Sequence, residues 1–367
     1  MTHATGPDGQ LQAPRLPHRA RLLVVAAYVL LSAAVAMDLA QSPEWTVSPV
    51  LATAPVLASI GTRRPRVPLL VGLGALALVA PLALADDQVP LLVHLTSAFT
   101  VLAITSVSTA NVVLVATRER ELLESRSVAE AAQHTLLRPP PERLDGLRVA
   151  VRYLAAAAEA RVGGDLYETL VTPFGTRLLM GDVRGKGLAA IDTAAAVLGT
   201  FREAAQVEPS LAAVAGRLDA AMGRRQPGEE FVTAALVQVT GPGRAELVNC
   251  GHLPPLRCRP GRAGGMDVDE VPTPDPQPPL ALLGMAGGTY RGRTFAFERG
   301  DLLLLYTDGV TEARDAAGRF YPLTERLAAM PDASPAALLD RVVADLLAYA
   351  GGELSDDAAL LAVRRED

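Results

Sequence analysis

The chain has 367 residues, of which 50% are hydrophobic, and a formal net charge of -6 at pH 7. This length predicts two or three structural units, and the acidic balance, with no run of Lys and Arg among aromatic residues, argues against nucleic acid as a partner. Cys250 and Cys258 are too few for a disulfide framework, so we interpret them as ordinary cytosolic thiols.

Four apolar stretches come first in the chain, at residues 22–37, 47–60, 69–85 and 91–116. Each supplies most of a helix of about 20 residues, the length that crosses a hydrocarbon core about 30 Å thick. The second stretch is the shortest and contains Pro49 and Pro55. The sequence therefore predicts about four transmembrane helices over residues 21–116, after a cytoplasmic tail of residues 1–20.

The charged residues between these stretches predict their orientation in the lipid bilayer. Arginines precede the first stretch, separate the second from the third and follow the fourth, whereas the other two loops are acidic. Because cytoplasmic loops carry the excess of Lys and Arg, both ends of the region face the cytoplasm. Few polar groups, His94 and Asn111 among them, fall within the spans, which favours an anchor or sensor over a transporter. We expect a multi-pass protein of the cell membrane.

Residues 117–140 predict a linker helix that continues the fourth span into the cytoplasm. The segment is rich in helix formers and has apolar residues near helical spacing. Pro139, Pro140 and Pro141 end it, since proline lacks the amide hydrogen that a helix needs. The helix could pair with a second copy of the chain to form a homodimer, or it could be a plain solvated connector.

Residues 141–367 predict a soluble domain in which short apolar runs alternate with turn residues. The predicted strands cover residues 147–154, 176–180, 233–239, 245–249, 294–297, 301–306 and 358–363. Helical patterns cover residues 188–205, 211–222 and 335–349. This order predicts an α+β domain with helices packed on the outer faces of antiparallel sheets.

Aspartates stand at the ends of these runs or in glycine-rich turns. They are Asp165 in RVGGDLYE, Asp182 in LLMGDVRGKGLAA, Asp308 in LLLLYTDGVTEA, and Asp356 with Asp357 in LSDDAALLAV. Each alone is equally typical of an ordinary turn. Together they indicate a cation site, because converging carboxylates repel one another unless a cation neutralises them. Carboxylate oxygens suit Mg²⁺ or Mn²⁺ rather than Zn²⁺, which favours His and Cys.

The motifs VGGDLYE, GDVRGKG, FVTAALV, NCGHLPPL, LLYTDGVTEA and DDAALLAV occur in this order in the chain. The set resembles that of metal-dependent protein phosphatases of type 2C, in particular their bacterial SpoIIE-like branch, over residues 133–364. The resemblance implies a protein-serine/threonine phosphatase domain at residues 141–367, built as an antiparallel β-sandwich flanked by helices. It also implies two Mn²⁺ or Mg²⁺ ions and, as substrate, a phosphorylated regulatory protein of the anti-anti-sigma type.

The same resemblance implies roles for individual residues. The implied metal ligands are Asp165, Asp182, the carbonyl of Val183, Asp308 and Asp356, with Asp357 ranked second because eukaryotic relatives carry Asn there. The four first-ranked aspartates are also the implied catalytic residues, and Asp182 bridges both ions. Two ions about 4 Å apart can lower the pKa of a shared water and offset charge on the phosphoryl oxygens, without a covalent intermediate.

Some positions depart from the family pattern. Leu166 and Glu168 replace an aromatic residue and an acid in the first motif, and Ala359 stands where Thr is common. Arg184 replaces a small residue, and it could contact substrate phosphate or be a solvated arginine. His252 could act as a general acid, but we interpret the turn NCGHLPPL as structural, with the imidazole bonded to backbone.

Other functions explain fewer of the motifs. RVGGDLY is similar to the GGDEF turn of diguanylate cyclases, but such an enzyme would leave the later motifs without a role. GDVRGKG lacks the spacing of a P-loop. The remaining alternative is a membrane receptor whose phosphatase-like domain binds a regulatory partner without turnover. Lost carboxylates would mark such a protein, and all the predicted ones are present.

Overall fold

The computed structural model describes residues 48–60, 62–85, 88–155, 163–225, 231–241, 243–261, 265–273 and 275–366, together with residues 29, 32, 36 and 46, and leaves out the side chains of 122–130 and 134. The chain forms two compact units, Met1–Leu123 and Glu124–Asp367.

The first unit consists of apolar helices in its described part. A 3₁₀ turn, Ser48–Ala52, leads into α1 (Thr53–Ile60), which is followed by α2 (Arg66–Ala85) and by most of α3 (Leu91–Leu136). By length and composition, Arg66–Leu84 and Leu91–Glu121 could each cross a membrane. The first predicted span lies almost wholly outside the described residues, and the second corresponds to the shorter apolar segment Ser48–Ile60. The count of four spans therefore stays a prediction.

Small side chains let α2 and α3 approach each other closely. A Cβ at Gly72 would lie 2.0 Å from Thr105 Oγ1, so only glycine fits at this contact. Close approach at glycine is typical of helix pairs in membranes. Large apolar side chains such as Leu84 and Phe99 remain exposed on the outer surface of this unit.

An ion pair joins two chain segments that the loop charges predict to lie on the same side of the membrane. Arg63 Nε and Nη2 donate to the two carboxylate oxygens of Glu119 at 2.6 and 3.0 Å. Arg63 precedes α2, and Glu119 follows the apolar part of α3. The two helices are therefore antiparallel, with their arginine-rich ends on the same side, as the loop charges predict.

The described residues of the second unit form eleven strands. They are β1 (Arg143–Leu144), β2 (Leu147–Leu154), β3 (Asp165–Thr172), β4 (Gly175–Val183), β5 (Val232–Val239), β6 (Arg244–Cys250), β7 (Leu256–Pro260), β8 (Met266–Glu270), β9 (Arg293–Ala296), β10 (Leu302–Tyr306) and β11 (Ala358–Arg365). All pairings between these strands are antiparallel. One sheet has the order β1-β2-β11-β10-β7-β8, and the other has the order β3-β4-β5-β6-β9.

Six helices accompany the sheets in the described part of this unit. They are α4 (Leu188–Val207), α5 (Leu211–Arg225), α6 (Leu283–Ala286), α7 (Asp308–Thr311), α8 (Leu323–Ala329) and α9 (Pro335–Tyr349). The last turn of α3 also belongs to this unit, and Leu137 N closes it by donating to Gln133 O at 2.9 Å. The helix ends just before the three prolines, as predicted.

The six-stranded sheet is covered on both faces because its strands alternate with a period of two. Leu303, Leu305 and Leu361 join a core with the five-stranded sheet and with α4 and α5. Leu304 and Leu360, which point the other way, join a second core against α8 and α9. This arrangement confirms the predicted α+β fold of antiparallel sheets with helices outside them. Cys250 and Cys258 are free thiols, buried in these two cores.

Candidate metal centre

All six predicted ligands line one cavity of about 200 Å³. The start of β3 lies beside the end of β4, and the end of β10 lies beside the start of β11, since neighbouring antiparallel strands run in opposite directions. The motifs therefore meet at one edge of the two sheets. The lining residues are Gly163, Gly164, Asp165, Asp182, Val183, Arg184, Gly185, Lys186, Asp308, Asp356 and Asp357.

Asp165 and Asp182 are direct partners on β3 and β4. Asp165 is only 4% exposed, and burial, followed by the charge of Asp182, holds the pKa of Asp165 well above its usual range. Burial, followed by the charges of Asp308 and Asp356, raises the pKa of Asp182 to about 7. Two adjacent carboxyl groups that resist ionisation in this way provide a site for a cation.

Thr307 connects this pair to the other sheet. Its hydroxyl donates to Asp165 Oδ2 at 2.8 Å and accepts from Ala359 N at 2.9 Å, while its own N–H donates to Ala359 O at 3.1 Å. The single side chain thus ties β3 to the adjoining ends of β10 and β11, and it sets where Asp308, the next residue, enters the cavity.

Asp357 is held by donors of the protein itself. It is 4% exposed, and its Oδ2 accepts from Tyr153 Oη at 2.5 Å and from Gly163 N at 2.6 Å. Gln133, in the last turn of α3, donates from Nε2 to Tyr153 Oη at 2.6 Å. A Cβ at Gly163 would lie 2.8 Å from Asp357 Oδ2, so glycine is needed for this approach. Asp357 therefore holds the backbone before β3 in place.

Asp356 is paired with Lys186, which lies in the GDVRGKG loop between β4 and α4. Lys186 Nζ lies 2.9 Å from both carboxylate oxygens of Asp356, and Asp357 N donates to Asp356 Oδ1 at 2.9 Å. The hydrogen bond with Asp356 raises the pKa of Lys186. Asp308 stands nearby at the start of α7, where burial, followed by the charge of Glu312, raises the pKa of Asp308.

The donor set fits a hard divalent ion, although the side chains are turned toward protein donors. Among the described residues, no three His, Cys, Asp or Glu side chains stand ready to hold one ion as they are oriented. Rotation away from these donors would be needed, most clearly for Asp356. The cavity nevertheless offers only oxygen ligands, and a Cβ at Gly164 would lie 2.5 Å from the Val183 carbonyl oxygen, so glycine keeps that oxygen accessible.

Arg184 lies at the exposed rim of the cavity. Its guanidinium carbon is 5.2 Å from the centre of the Phe231 ring, and its backbone N–H donates to Phe231 O at 3.0 Å. The stacking keeps a positive charge beside the cavity.

His252 lies behind the cavity and is not one of its lining residues. Its Nε2 is 3.1 Å from Tyr306 O and its Nδ1 is 2.9 Å from Thr233 Oγ1. Since a carbonyl only accepts, Nε2 carries the hydrogen and Nδ1 accepts from Thr233. Burial lowers the pKa of His252 to about 4, so the ring is neutral. It connects β5 to β10 across the two sheets, which agrees with the structural interpretation.

Sequence reasoning missed three residues that shape this site: Tyr153, Lys186 and Thr307. Lys186 and Thr307 are inside quoted motifs, and Lys186 is the only lysine in the chain, which was a usable signal. Tyr153 is the seventh residue of β2, and nothing in its strand distinguishes it from an ordinary partly buried position.

Residues 172–366, more than half of the chain, match a protein family described as Stage II sporulation protein E. The match begins after Asp165. Among solved structures, the SiaA PP2C domain of Pseudomonas aeruginosa is 19% identical, covering 68% of this chain and 99% of that one, with a TM-score of 0.56. The RsbU and RsbW domains of a Mycobacterium tuberculosis protein are 25% identical, covering 61% of each chain, with a TM-score of 0.48.

A third solved structure is the catalytic domain of the serine/threonine phosphatase PstP in complex with two manganese ions. It is 17% identical and covers 60% of this chain and 99% of that one, with a TM-score of 0.45. At these identities, the likeness to the SiaA domain shows the PP2C fold alone.

Proposed function

Because the chain belongs to the SpoIIE family of PP2C-type serine/threonine phosphatases, we propose that it hydrolyses phosphoserine or phosphothreonine on a regulatory protein, with two divalent ions held by its clustered aspartates. The family supports a substrate of the anti-anti-sigma type. The ions are Mn²⁺ or Mg²⁺, which take oxygen ligands.

The observation that carries this proposal is the convergence of five aspartates in one cavity. They come from four places in the chain and meet where the two sheets adjoin. Burial and mutual repulsion raise the pKa of Asp165, Asp182 and Asp308. A fold that brings such groups together without a cation loses stability, so the cluster is expected only where a cation is bound.

Each residue has a distinct part in this proposal. The proposed ligands are Asp165, Asp182, the carbonyl of Val183, Asp308 and Asp356. Asp357 ranks behind them, because Tyr153 and Gly163 already occupy its Oδ2. When bound, two divalent ions supply a hydroxide-like water at neutral pH and offset charge on the phosphoryl oxygens. Thr307 orients Asp165, and Arg184 at the rim offers a donor to the substrate.

We also propose that the protein is anchored in the cell membrane with its catalytic domain in the cytoplasm. The arrangement is a tail at residues 1–20, about four spans at residues 21–116, a linker helix at residues 117–140 and the phosphatase domain at residues 141–367. Support comes from the two long apolar helices and from the pairing of Arg63 with Glu119 at their basic ends. The linker helix could also pair two copies of the chain.

The test of this function is metal-dependent phosphate release by the full chain in detergent. Phosphate released from a phosphoserine peptide and from a phosphorylated anti-anti-sigma protein is measured with Mn²⁺, with EDTA, and for Asp182→Asn. We expect release with Mn²⁺ alone, and a loss of at least about 100-fold in the variant, since a bridging carboxylate is removed. Asp340→Asn, which changes an exposed aspartate paired with Arg152, is the matched control and should retain full activity.

Thermal melting of both variants excludes unfolding as the cause. If the folded wild-type chain binds Mn²⁺ and releases no phosphate from either substrate, the hydrolase proposal fails, and a receptor that binds its regulatory partner without turnover takes its place. If Asp182→Asn retains full activity, the ligand assignment is wrong even though the enzyme is a phosphatase.

A further inference from the structure

Lys186 is an unusual residue in this chain. Of the 34 Lys and Arg residues, 33 are arginine and Lys186 is the one lysine. It lies in the cavity that the five aspartates line, and its ammonium takes both oxygens of one of them, Asp356, at 2.9 Å. The one lysine of the chain therefore lies inside the candidate metal centre.

The chemistry of the two cations explains what a lysine offers here. Arginine presents a planar fork that binds a carboxylate through two parallel hydrogen bonds, whereas lysine is a point charge on a flexible stem. Lysine can therefore exchange one oxygen-rich partner for another by rotating its stem. The pair is also solvent-accessible, with the Lys186 side chain 40% exposed and that of Asp356 39% exposed, so its separation costs little.

The surroundings of Lys186 leave room for this movement. Gly185 and Gly187 have φ angles of +120° and +84°, and nothing lies within 4 Å of a Cβ built on either. Gly187 is also the N-cap of α4, and it has no side chain that could accept from the amides of the first turn. These amides carry the positive end of the helix dipole, so both the loop and the helix start favour an anion beside Lys186.

Lys186 and a divalent ion compete for the two oxygens of Asp356, because two cations held on one carboxylate repel each other. The proposed function requires Asp356 as a ligand, and this leaves the ammonium without its present partner. The nearest new anion in a phosphatase cavity is the phosphoryl group of the substrate. We propose that Lys186 is the phosphoryl-binding cation of this site. It pairs with Asp356 until that carboxylate binds a divalent metal ion, and it then binds the phosphoryl group of the substrate. This inference rests on the proposed function and names the group that recognises the phosphoserine or phosphothreonine dianion.

The single lysine makes a direct test possible in the full chain. Protein labelled with ¹³Cε-lysine gives one lysine side-chain resonance, which is followed by NMR in detergent with EDTA, then with Mg²⁺, then with inorganic phosphate. We expect Mg²⁺ to move the resonance and phosphate to move it again. In Asp356→Asn the EDTA resonance should already stand near the Mg²⁺ position, because the ion pair is absent.

Affinities measured by calorimetry give a second test. Lys186→Met should bind Mg²⁺ about two- to fivefold more tightly, because an exposed ion pair no longer competes for Asp356. Its Mg²⁺-loaded form should bind inorganic phosphate about tenfold more weakly or worse, the loss of a charged hydrogen bond. Lys186→Arg should weaken Mg²⁺ binding, since the fork clamps Asp356. Arg217→Met removes the ion pairs with Glu203 and Glu208 from an arginine that is also 40% exposed, and it should change neither affinity.

The outcomes separate this inference from the proposed function. If Mg²⁺ binds while the Lys186 resonance stays in place, or if Lys186→Met binds phosphate as tightly as the wild-type chain, the inference is overturned and the phosphatase proposal stands. If calorimetry detects no Mg²⁺ binding to the folded wild-type chain, both proposals fail together.

Discussion

The two sides of the carboxylate-lined cavity differ in how their charge is balanced. On the five-stranded sheet, Asp165 and Asp182 face each other across β3 and β4, and Thr307 gives Asp165 a hydrogen bond but no positive charge. On the six-stranded sheet, Asp356 has the ammonium of Lys186 and Asp357 has a phenol and a backbone amide. Asp165 and Asp182, the strand pair, resist ionisation. Asp356 and Asp357, the loop pair, are already stabilised by donors of the protein.

This difference indicates which carboxylates depend most on metal for the stability of the fold. Converging carboxylates are tolerated in a fold only if protons, protein donors or cations neutralise them. The loop pair uses protein donors, and the strand pair is left with protons or metal. Removing metal should therefore affect stability chiefly through Asp165 and Asp182, with Asp308 beside them, and disturbing the protein donors should affect it chiefly through Asp356 and Asp357.

The largest expected effect is a pH-dependent stabilisation by metal. The folded-state pKa of Asp182 is raised to about 7, so its contribution to stability is present below pH 4 and is lost as the pH rises through about 7 in the metal-free protein. For a shift of about three units from the unfolded value, this loss is on the order of 4 kcal/mol. About 2.7 kcal/mol of this loss falls between pH 5 and pH 8, so Mn²⁺ should raise the melting temperature by about 5–10 °C more at pH 8 than at pH 5.

The control for this measurement is Asp182→Asn, which cannot ionise. In EDTA its melting temperature should depend less on pH between 5 and 8 than that of the wild-type chain, and Mn²⁺ should stabilise it less at pH 8. If Mn²⁺ raised the melting temperature of the wild-type chain equally at both pH values, ionisation of the strand pair would not be coupled to metal binding.

A smaller effect is expected when a donor of the loop pair is removed. Tyr153→Phe deletes the hydroxyl that donates to Asp357 at 2.5 Å. The free energy of unfolding should fall by about 1.5–3 kcal/mol, the range for a hydrogen bond to a charged group. Because Asp357 keeps the amide of Gly163, the loss should be the same in EDTA and in Mn²⁺. Denaturant unfolding in both conditions measures it.

Tyr321→Phe is the matched control for this change. Tyr321 is buried, and its hydroxyl likewise donates to a carboxylate, Asp345 Oδ2 at 2.7 Å, in a different core. The two variants should lose comparable stability without altering Mn²⁺ affinity. A tenfold change in Mn²⁺ affinity for Tyr153→Phe but not for Tyr321→Phe would indicate that Asp357 is a direct metal ligand. The loop pair would then depend on metal as the strand pair does.

The fold could be predicted where local pattern decides the structure. β2 and α9 have the bounds predicted for residues 147–154 and 335–349, because alternation and helical spacing are continuous there. β3 was not predicted as a strand. Its polar Glu168 accepts from Arg202 Nε at 2.6 Å, a partner on α4 that its own segment does not reveal. β7 was missed for a similar reason, since Arg257 pairs with Asp269 on β8.

The same distinction holds for the site. The order of the motifs was enough to predict which aspartates belong together, and the structure places all of them around one cavity. The charge balance of each aspartate could not be predicted, because it depends on residues far away in sequence. Tyr153 lies 204 residues from Asp357, and Lys186 lies 170 residues from Asp356. Their roles as ligands stay predictions until metal binding is measured.

The smallest expected effect concerns Arg184, which lies at the rim of the cavity and is proposed to contact the substrate. Its guanidinium is held over Phe231 outside the carboxylate cluster, and it forms no ion pair with another described residue. Arg184→Met should therefore leave stability and Mn²⁺ affinity unchanged, since methionine retains apolar contact with the ring. It should raise KM for a phosphoserine peptide about two- to fivefold at constant kcat, the effect of a solvent-exposed charge on binding.

Arg224→Met is the control for Arg184, since it removes an exposed arginine at the end of α5. It should leave KM unchanged. If Arg184→Met lowers kcat and leaves KM as it was, then the rim arginine acts on the reacting phosphoryl group rather than on peptide binding, because an interaction made only in the transition state changes kcat. In that case the GDVRGKG loop would supply two cations with different parts. Lys186 would neutralise Asp356 before metal binds, and Arg184 would stabilise the charge that develops on the phosphoryl group near Asp165 and Asp182 during the reaction.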